Sequence, residues 1–257
     1  MNVLVTGGTG ALGREVVIDL RGSGHRVRVL SRKSGTGADW VQGNLATGAG
    51  LERAVADMDA IVHAASAAAQ PWRLRATDVG GTRRLLDAAR RAHVKHVVYV
   101  SIAGMEGVAF AYYTQKLAAE KIVREGIVPW SILRATQFHT LMEAFLRAFC
   151  KLPRLAAVPF AWQFQPVDTR DVAARLTDVV TGEPAGALPD FGGPEIRTLQ
   201  SLAESWLKAR RLSKRLVNLE LPLEFSRQFA EGRLLVPAHK DGKTTFEQYL
   251  VRKYGRW

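Results

Sequence analysis

Two side chains four residues apart, Tyr112 and Lys116, carry the most direct chemistry in the 257-residue chain. On a helix that spacing puts them on one face, about one turn from each other. A phenol with a pKa of about 10 exchanges protons poorly at neutral pH until a neighbouring ammonium favours the phenolate. Tyr112 is therefore the candidate acid that protonates a carbonyl oxygen, and Lys116 the group that activates it. The adjacent Tyr113 faces another way and reads as packing.

A second stretch supplies what such an acid would work with. The apolar run Val3-Leu4-Val5-Thr6 breaks into Gly7-Gly8-Thr9-Gly10-Ala11-Leu12-Gly13. A helical pattern follows at once through Val16, Val17 and Leu20. Strand, glycine turn and helix together form the context in which Gly8-x-Gly10-x-x-Gly13 binds a dinucleotide, and Gly7 adds the wider G-x-x-G-x-x-G spacing. An early glycine permits the tight turn, Gly10 lets backbone approach a pyrophosphate, and Gly13 lets the helix pack on its strand. The free N–H groups of that helix would hold the anion. Gly7, Thr9, Gly10, Ala11 and Leu12 are accordingly candidate cofactor contacts, and Lys116 gains a second role on the nicotinamide ribose.

The next strand, His25 to Leu30, ends in Ser31-Arg32-Lys33. An NAD site places a carboxylate there, about 20 residues past the glycines, to bind the ribose 2′-hydroxyl. A hydroxyl and two cations suit a 2′-phosphate instead, so Ser31 and Arg32 favour NADP(H) over NAD(H). Residues 34–38 form a polar loop. Trp40 to Leu45 reads as a third strand and turn, with Asn44 and Leu45 placed to touch the adenine, and Leu51 to Met58 as a helix. Ala60 to Ala65 is a buried strand whose end, Ala64-Ala65, is small enough for a cofactor to pass over. His63 on that strand reads as a hydrogen-bonded core histidine. A helix from Asp78 through Ala89, a strand Val97–Val100 ending at Ser101, and a strand Trp130–Leu133 complete an alternating series. That alternation predicts an α/β fold: a Rossmann-type, doubly wound parallel sheet with helices on both faces.

Beyond it the pattern is less regular. Phe138 to Phe149 has helical periodicity, Phe164 to Val167 reads as strand, and Asp168 caps a helix running to Val180. A strand near Leu188 and a helix Leu199–Leu212 follow. The whole of 1–257 is read as one nucleotide-binding domain in which residues from about 182 onward build most of a small C-terminal lobe. Gln137, His139, Met142, Trp162 and Phe164 follow the expected nicotinamide position and are the substrate-binding candidates. His139 or Gln137 would bond a substrate oxygen, and Trp162 and Phe164 would stack on a flat ring. The competing reading makes the aromatics core, and Phe138 is assigned there.

The net charge of +12 and a pI near 10.2 are unusual. The basic pairs Arg83-Arg84, Arg90-Arg91, Arg210-Arg211, Lys214-Arg215 and Arg252-Lys253 fall on different expected elements. No nucleic-acid recognition signature accompanies them, so nucleic acid is not the expected partner. The histidines are dispersed and Cys150 is the only cysteine, which argues against a metal site or a disulfide and for a reducing cytoplasm. No apolar run is long enough to span a membrane, and a monomer or a homodimer remain equally open.

These pieces are colinear with a known pattern. Thr6 to Gly13, Val62 to Ala65, Val79 to Ala89, Val98 to Ser101, Tyr112-x-x-x-Lys116, Ile132-Leu133-Arg134 and Pro166 to Ala173 resemble the atypical short-chain dehydrogenase/reductases of the NmrA-like, NAD(P)H-binding group. The resemblance covers about residues 1–180. It implies that Gly7, Gly10 and Gly13 hold the pyrophosphate, Arg32 the adenosine phosphate and Asn44-Leu45 the adenine. Ala64-Ala65 would lie along the cofactor, Lys116 at the ribose, and Ala135-Thr136 near the nicotinamide. The family's Asp after Gly43 is Asn44 here. Where its catalytic serine or threonine stands, this chain has Ile102-Ala103, and Ser101 either substitutes or caps the strand. The expected function is an NADPH-dependent reductase delivering hydride to a carbonyl, quinone or enone of a hydrophobic, possibly ring-bearing small molecule. The alternatives are a non-catalytic NADP(H)-sensing regulator and a redox-neutral isomerase or dehydratase.

Overall fold

The computed structural model describes every residue except 36, 38, 256 and 257. Thr36 and Ala38, within the loop expected at 34–38, and the last two residues of the expected lobe lie outside the described residues. The chain divides into two compact units, one comprising Met1–Ser101, Phe110–Arg134 and Ala173–Pro189, the other Ile102–Ala109, Ala135–Val172 and Asp190–Trp257.

The first unit is built on seven strands: β1 (Asn2–Thr6), β2 (Arg26–Ser31), β3 (Trp40–Gln42), β4 (Ala60–His63), β5 (His96–Ile102), β6 (Trp130–Ala135) and β9 (Gly186–Ala187). They form one parallel sheet in the order β3-β2-β1-β4-β5-β6-β9. The central strands are continuous apolar runs, buried at every position of β4, because helices cover both faces and leave no solvated side to alternate toward. Leu4, Ile61, Val97 and Ile132 pack into one cluster with α2 (Leu51–Val55), α3 (Gly80–Arg91) and α4 (Ala111–Arg124) through Ala54, Leu85, Ala89, Ala119 and Val123. Val16, Val17 and Leu20 are the buried stripe of α1 (Ala11–Gly22), which packs on β1 and β2. Each buried valine or leucine of this kind contributes roughly 1.5–3 kcal/mol.

The second unit contains α5 (His139–Phe149), β7 (Leu155–Val158), β8 (Gln163–Phe164), β10 (Arg197–Thr198), α7 (Leu199–Ala209), β11 (Arg215–Asn218), α8 (Glu224–Ala230) and α9 (Phe246–Tyr254). The helix α6 (Thr169–Thr181) begins in this unit and ends in the first. β8 pairs antiparallel with β10, and β7 pairs parallel with β11. Glu143 of α5 anchors α9: it accepts from the Tyr249 hydroxyl at 2.6 Å and from Lys253 and Tyr254.

Several expected boundaries move for local reasons. The helix expected over Leu51–Met58 ends at Val55, and Asp57 turns the chain in the left-handed region at φ +59°. The strand expected over Phe164–Val167 stops at Phe164, since Pro166 has no N–H to donate; Val167 makes only a single bridge to Phe138. Asp168 does cap α6, its Oδ1 accepting from Arg170 N at 2.9 Å. No helix among the described residues is long and apolar enough to cross a membrane.

Candidate functional site

At the carboxyl ends of β1, β2 and β4 the first unit holds a cleft of about 610 Å³. The glycine turn forms its floor. Gly7 takes φ +73°, a conformation that a side chain resists. A Cβ on Gly7 would also lie 2.8 Å from Ala64 O and from the Ala65 backbone. Gly10 N donates to Gly7 O at 2.8 Å, closing the turn. A Cβ on Gly13 would lie 2.2 Å from Gly7 O, so only glycine lets α1 start this close to its strand. Helix α1 begins with neither a side-chain cap nor an acidic residue in its first turn. Its leading N–H groups therefore lack a competing protein anion, as a pyrophosphate site needs. Thr9 and Gly10 line the cleft, Ala11 is exposed beside it, and Leu12 is buried.

The far wall comes from Ser31, Arg32 and Lys33, with Asn44 and Leu45 beside them. Trp40 Nε1 donates to Lys33 O at 2.8 Å and Gln42 Nε2 to Arg32 O at 3.3 Å, so β3 side chains pin the backbone that presents both cations. Neither cation forms an ion pair among the described residues, and no Asp or Glu lines the cleft. Asn44 turns its Oδ1 to its own loop, accepting from Ala46 N at 3.0 Å. Gly81 at the start of α3 allows close approach there, since a Cβ would fall 2.8 Å from the Leu45 side chain. These features fit a dinucleotide whose pyrophosphate lies on the glycine turn.

Ala64, Ala65 and Ser66 continue the lining. Ser66 Oγ donates to the Tyr112 hydroxyl at 3.2 Å, which ties the expected acid to the cleft wall. Lys116 is buried; its Nζ donates to Val100 O at 2.7 Å and stands 4.1 Å from the Tyr99 ring centroid. Burial lowers the Lys116 pKa to about 8, against the pull of Asp78 and Glu120. Burial pushes Tyr112 up to about 12, which the Ser66 hydrogen bond partly offsets. The phenol thus stays protonated at neutral pH, and its direct partner is Ser66, with Lys116 bonded elsewhere. Ser101 lies inside β5, before its last residue, and is buried beside Glu120. Glu120 itself is held by Arg134 at 2.7 and 2.8 Å, fixing α4 on β6.

His63 is a core histidine: its Nδ1 meets Thr6 Oγ1 at 2.7 Å and its Nε2 meets Thr82 Oγ1 at 3.0 Å, and burial holds its pKa down to about 3. Asp78 is the residue that sequence reasoning passed over. It was read only as the lead into a helix, yet it is buried in a wide π-type turn, Arg75–Val79. Its Oδ2 accepts from Ala67 N at 2.9 Å and so orders the segment that carries Ser66. A carboxylate two residues before Gly80-Gly81-Thr82 was the available signal. Ser66, Gln70, Arg73 and Thr77 also line the cleft, and nothing in their spacing marked them.

The other candidates belong to the second unit. Ala135 O accepts from Ala103 N, and Thr136 Oγ1 accepts from Gly193 N at 3.1 Å. His139 is 1% exposed, its Nε2 meets Thr244 O at 3.0 Å, and its ring packs on Phe246 and Tyr249. Met142 and Phe164 are fully buried. Trp162 donates to Ser226 Oγ at 2.9 Å and contacts Phe149, Phe164, Phe225 and Phe229 in an aromatic cluster. Those contacts give His139, Trp162 and Phe164 packing partners within the protein. Gln137 differs: it is 4% exposed and both atoms of its side-chain amide lack a partner. No group of side chains among the described residues could hold a metal ion.

A family model described as NAD(P)H-binding matches residues 7–143. A (4-alkanoyl-5-oxo-2,5-dihydrofuran-3-yl)methyl phosphate reductase from Streptomyces griseus is 31% identical over 205 residues, covering 76% of this chain and 69% of the relative. A ceramide reductase from Caulobacter vibrioides is 31% identical, over 68% of this chain and 59% of its own. The photosystem II assembly factor Ycf39 of Synechocystis is 36% identical, over 40% of this chain and 34% of its own. Among solved structures, a short-chain dehydrogenase/reductase superfamily protein from Agrobacterium tumefaciens with bound NAD has a TM-score of 0.74 at 22% identity, covering 99% of this chain and 96% of that one. The UDP-glucose 4-epimerase of Thermotoga maritima has a TM-score of 0.77 at 18% identity, covering 99% and 98%. With the glycine cradle and the parallel sheet already in place, the chain belongs to the NAD(P)H-binding family, as an atypical short-chain dehydrogenase/reductase of the oxidoreductase type.

Proposed function

We propose that the protein is an NADPH-dependent reductase of a carbonyl, quinone or enone in a hydrophobic small molecule. The observation that carries this reading is the cleft wall at Ser31-Arg32-Lys33, two cations with no ion pair among the described residues and no carboxylate in the lining. Gly7, Thr9 and Gly10 would hold the pyrophosphate, Arg32 and Lys33 the 2′-phosphate, and Lys116 the ribose next to the nicotinamide. When bound, the reduced nicotinamide supplies the two electrons of the reduction. Tyr112 supplies the proton to the substrate oxygen, and Ser66 orients its hydroxyl. Of the residues that the sequence assigned to the nicotinamide and substrate, His139, Met142, Trp162 and Phe164 are packed inside the second unit, and Gln137, with an unpartnered buried amide, is the one proposed as a polar contact to the substrate. Two relatives named reductases support the reaction class. The lone Cys150 supports a cytoplasmic setting.

A second reading, cofactor binding without turnover, is favoured by one feature: Ile102-Ala103 stand where the family places a catalytic hydroxyl. One titration separates the two. The purified chain is titrated with NADPH and with NADH by fluorescence, then given a panel of quinones, ketones and enones while nicotinamide absorbance is followed. NADPH binding with substrate-dependent oxidation is the expected result. Binding without oxidation across the panel favours the sensor, and no binding refutes both.

A further inference from the structure

Part of the positive charge, dispersed along the sequence, is gathered by the fold on one edge of the second unit. No acidic residue occurs between Glu143 and Asp168, or between Glu204 and Glu220. The parallel pairing of β7 with β11, Leu155 opposite Arg215, brings these two acid-free segments together. Arg215 N donates to Arg154 O at 2.9 Å, and Lys214 Nζ donates to the carbonyls of Leu152 and Pro153. Lys151, Arg154, Arg210, Arg211 and Arg215 are all exposed there, and none is paired with a carboxylate among the described residues.

Two further features set this edge apart from an ordinary solvated basic surface. Leu152 is 55% exposed and Leu155 39% exposed, in the middle of the cations. With the carbonyls of Leu152 and Pro153 tied down by Lys214, the turn at 151–154 is fixed with Leu152 outward. Arg211, just past the end of α7, sits in the left-handed region at φ +53°, where glycine is the usual residue.

We propose that this edge docks the protein peripherally on an anionic lipid bilayer. The chemistry favours that partner over nucleic acid. Leucines ringed by lysine and arginine match the boundary between headgroups and acyl chains, with cations on lipid phosphates and apolar tips below them. A single-stranded nucleic acid would call for exposed aromatic stacking platforms; Trp206, under Arg210, is 1% exposed, and Phe149, two residues before Lys151, packs edge-on against Trp162. The inference is independent of the nicotinamide reading, since no residue of the patch lines the first unit's cleft.

The test is co-sedimentation of the full chain with vesicles of phosphatidylcholine alone, or mixed with phosphatidylglycerol, at low and high salt. Binding is expected to the anionic vesicles only and to weaken as salt rises. Arg154→Glu/Arg211→Glu lowers the partition coefficient by about tenfold or more. Leu152→Ser/Leu155→Ser lowers it severalfold with the charge unchanged. Arg83→Glu/Arg90→Glu, the same charge change on α3, leaves it near the starting value. Retained NADPH binding and an unchanged Tm show that the variants fold. The proposal is overturned by equal binding to both vesicle types or by no binding. An equal loss in the α3 variant, or preferential capture by a single-stranded oligonucleotide insensitive to the leucine changes, also overturns it.

Discussion

On the proposed reading, in which Arg32 and Lys33 meet the 2′-phosphate, Arg32→Ala/Lys33→Ala should remove the site's preference for NADPH over NADH. Both side chains are exposed at the mouth, so the effective dielectric is nearer that of water than of a core. A unit charge pair at about 4 Å is worth about 1 kcal/mol in water and about 4 kcal/mol near a protein surface. After the cost of ordering two long side chains, about 2–3 kcal/mol for the pair is reasonable. That predicts a rise of roughly 30- to 150-fold in the Kd for NADPH and little change for NADH. The assay is nicotinamide fluorescence titration at fixed, moderate salt with both nucleotides. Raising salt should weaken NADPH binding in the parent and hardly affect the double variant. The reasoning is refuted if both nucleotides weaken alike, or if the parent prefers NADH. Either result would mean that these cations do not meet the 2′-phosphate.

Tyr112→Phe should reduce kcat by about 10²- to 10⁴-fold with NADPH affinity retained, because the ring keeps its place and only the proton is lost; steady-state kinetics on any substrate from the panel decides. With Lys116 near 8 and Tyr112 near 12, kcat/KM should fall above about pH 8 as Lys116 loses its charge, before the phenol ionises; a profile flat through pH 9 would remove Lys116 from that role. Gly13→Ala forces a Cβ to within 2.2 Å of Gly7 O, and should cost about 1–3 kcal/mol in urea unfolding and weaken both nucleotides together. Glu143 is held at about 2 because Lys253, Tyr249, Tyr254 and Arg147 outweigh its burial. Its folded pKa lies below the unfolded one, so its stabilisation is present above about pH 4.5 and is lost as pH falls toward 2. Glu143→Gln should therefore lower stability by about 2 kcal/mol at pH 7 and flatten that acid limb, measured by unfolding against pH.

The sequence alone determined the parts whose information is local. Hydrophobic period and glycine spacing fixed the strand-turn-helix opening and the parallel sheet, because both follow from backbone geometry within a few residues. Ser31-Arg32-Lys33 was legible for the same reason: its place is set by the strand that precedes it. Tyr112 and Lys116 were legible as a helical pair, but their partners were not. The Ser66 bond to Tyr112 and the Val100 carbonyl under Lys116 join residues 46 and 16 positions apart. Burial then raised the phenol where the spacing argument had expected the ammonium to lower it. Asp78 was hidden because a buried carboxylate looks like any helix-leading acid until its neighbours are known. His139, Trp162 and Phe164 carry types that suit either a pocket or a core, and only their packing partners distinguish the two. The basic edge is the plainest case: charges 60 residues apart in sequence meet because β7 pairs with β11, and strand pairing at that separation leaves no periodic trace in the chain.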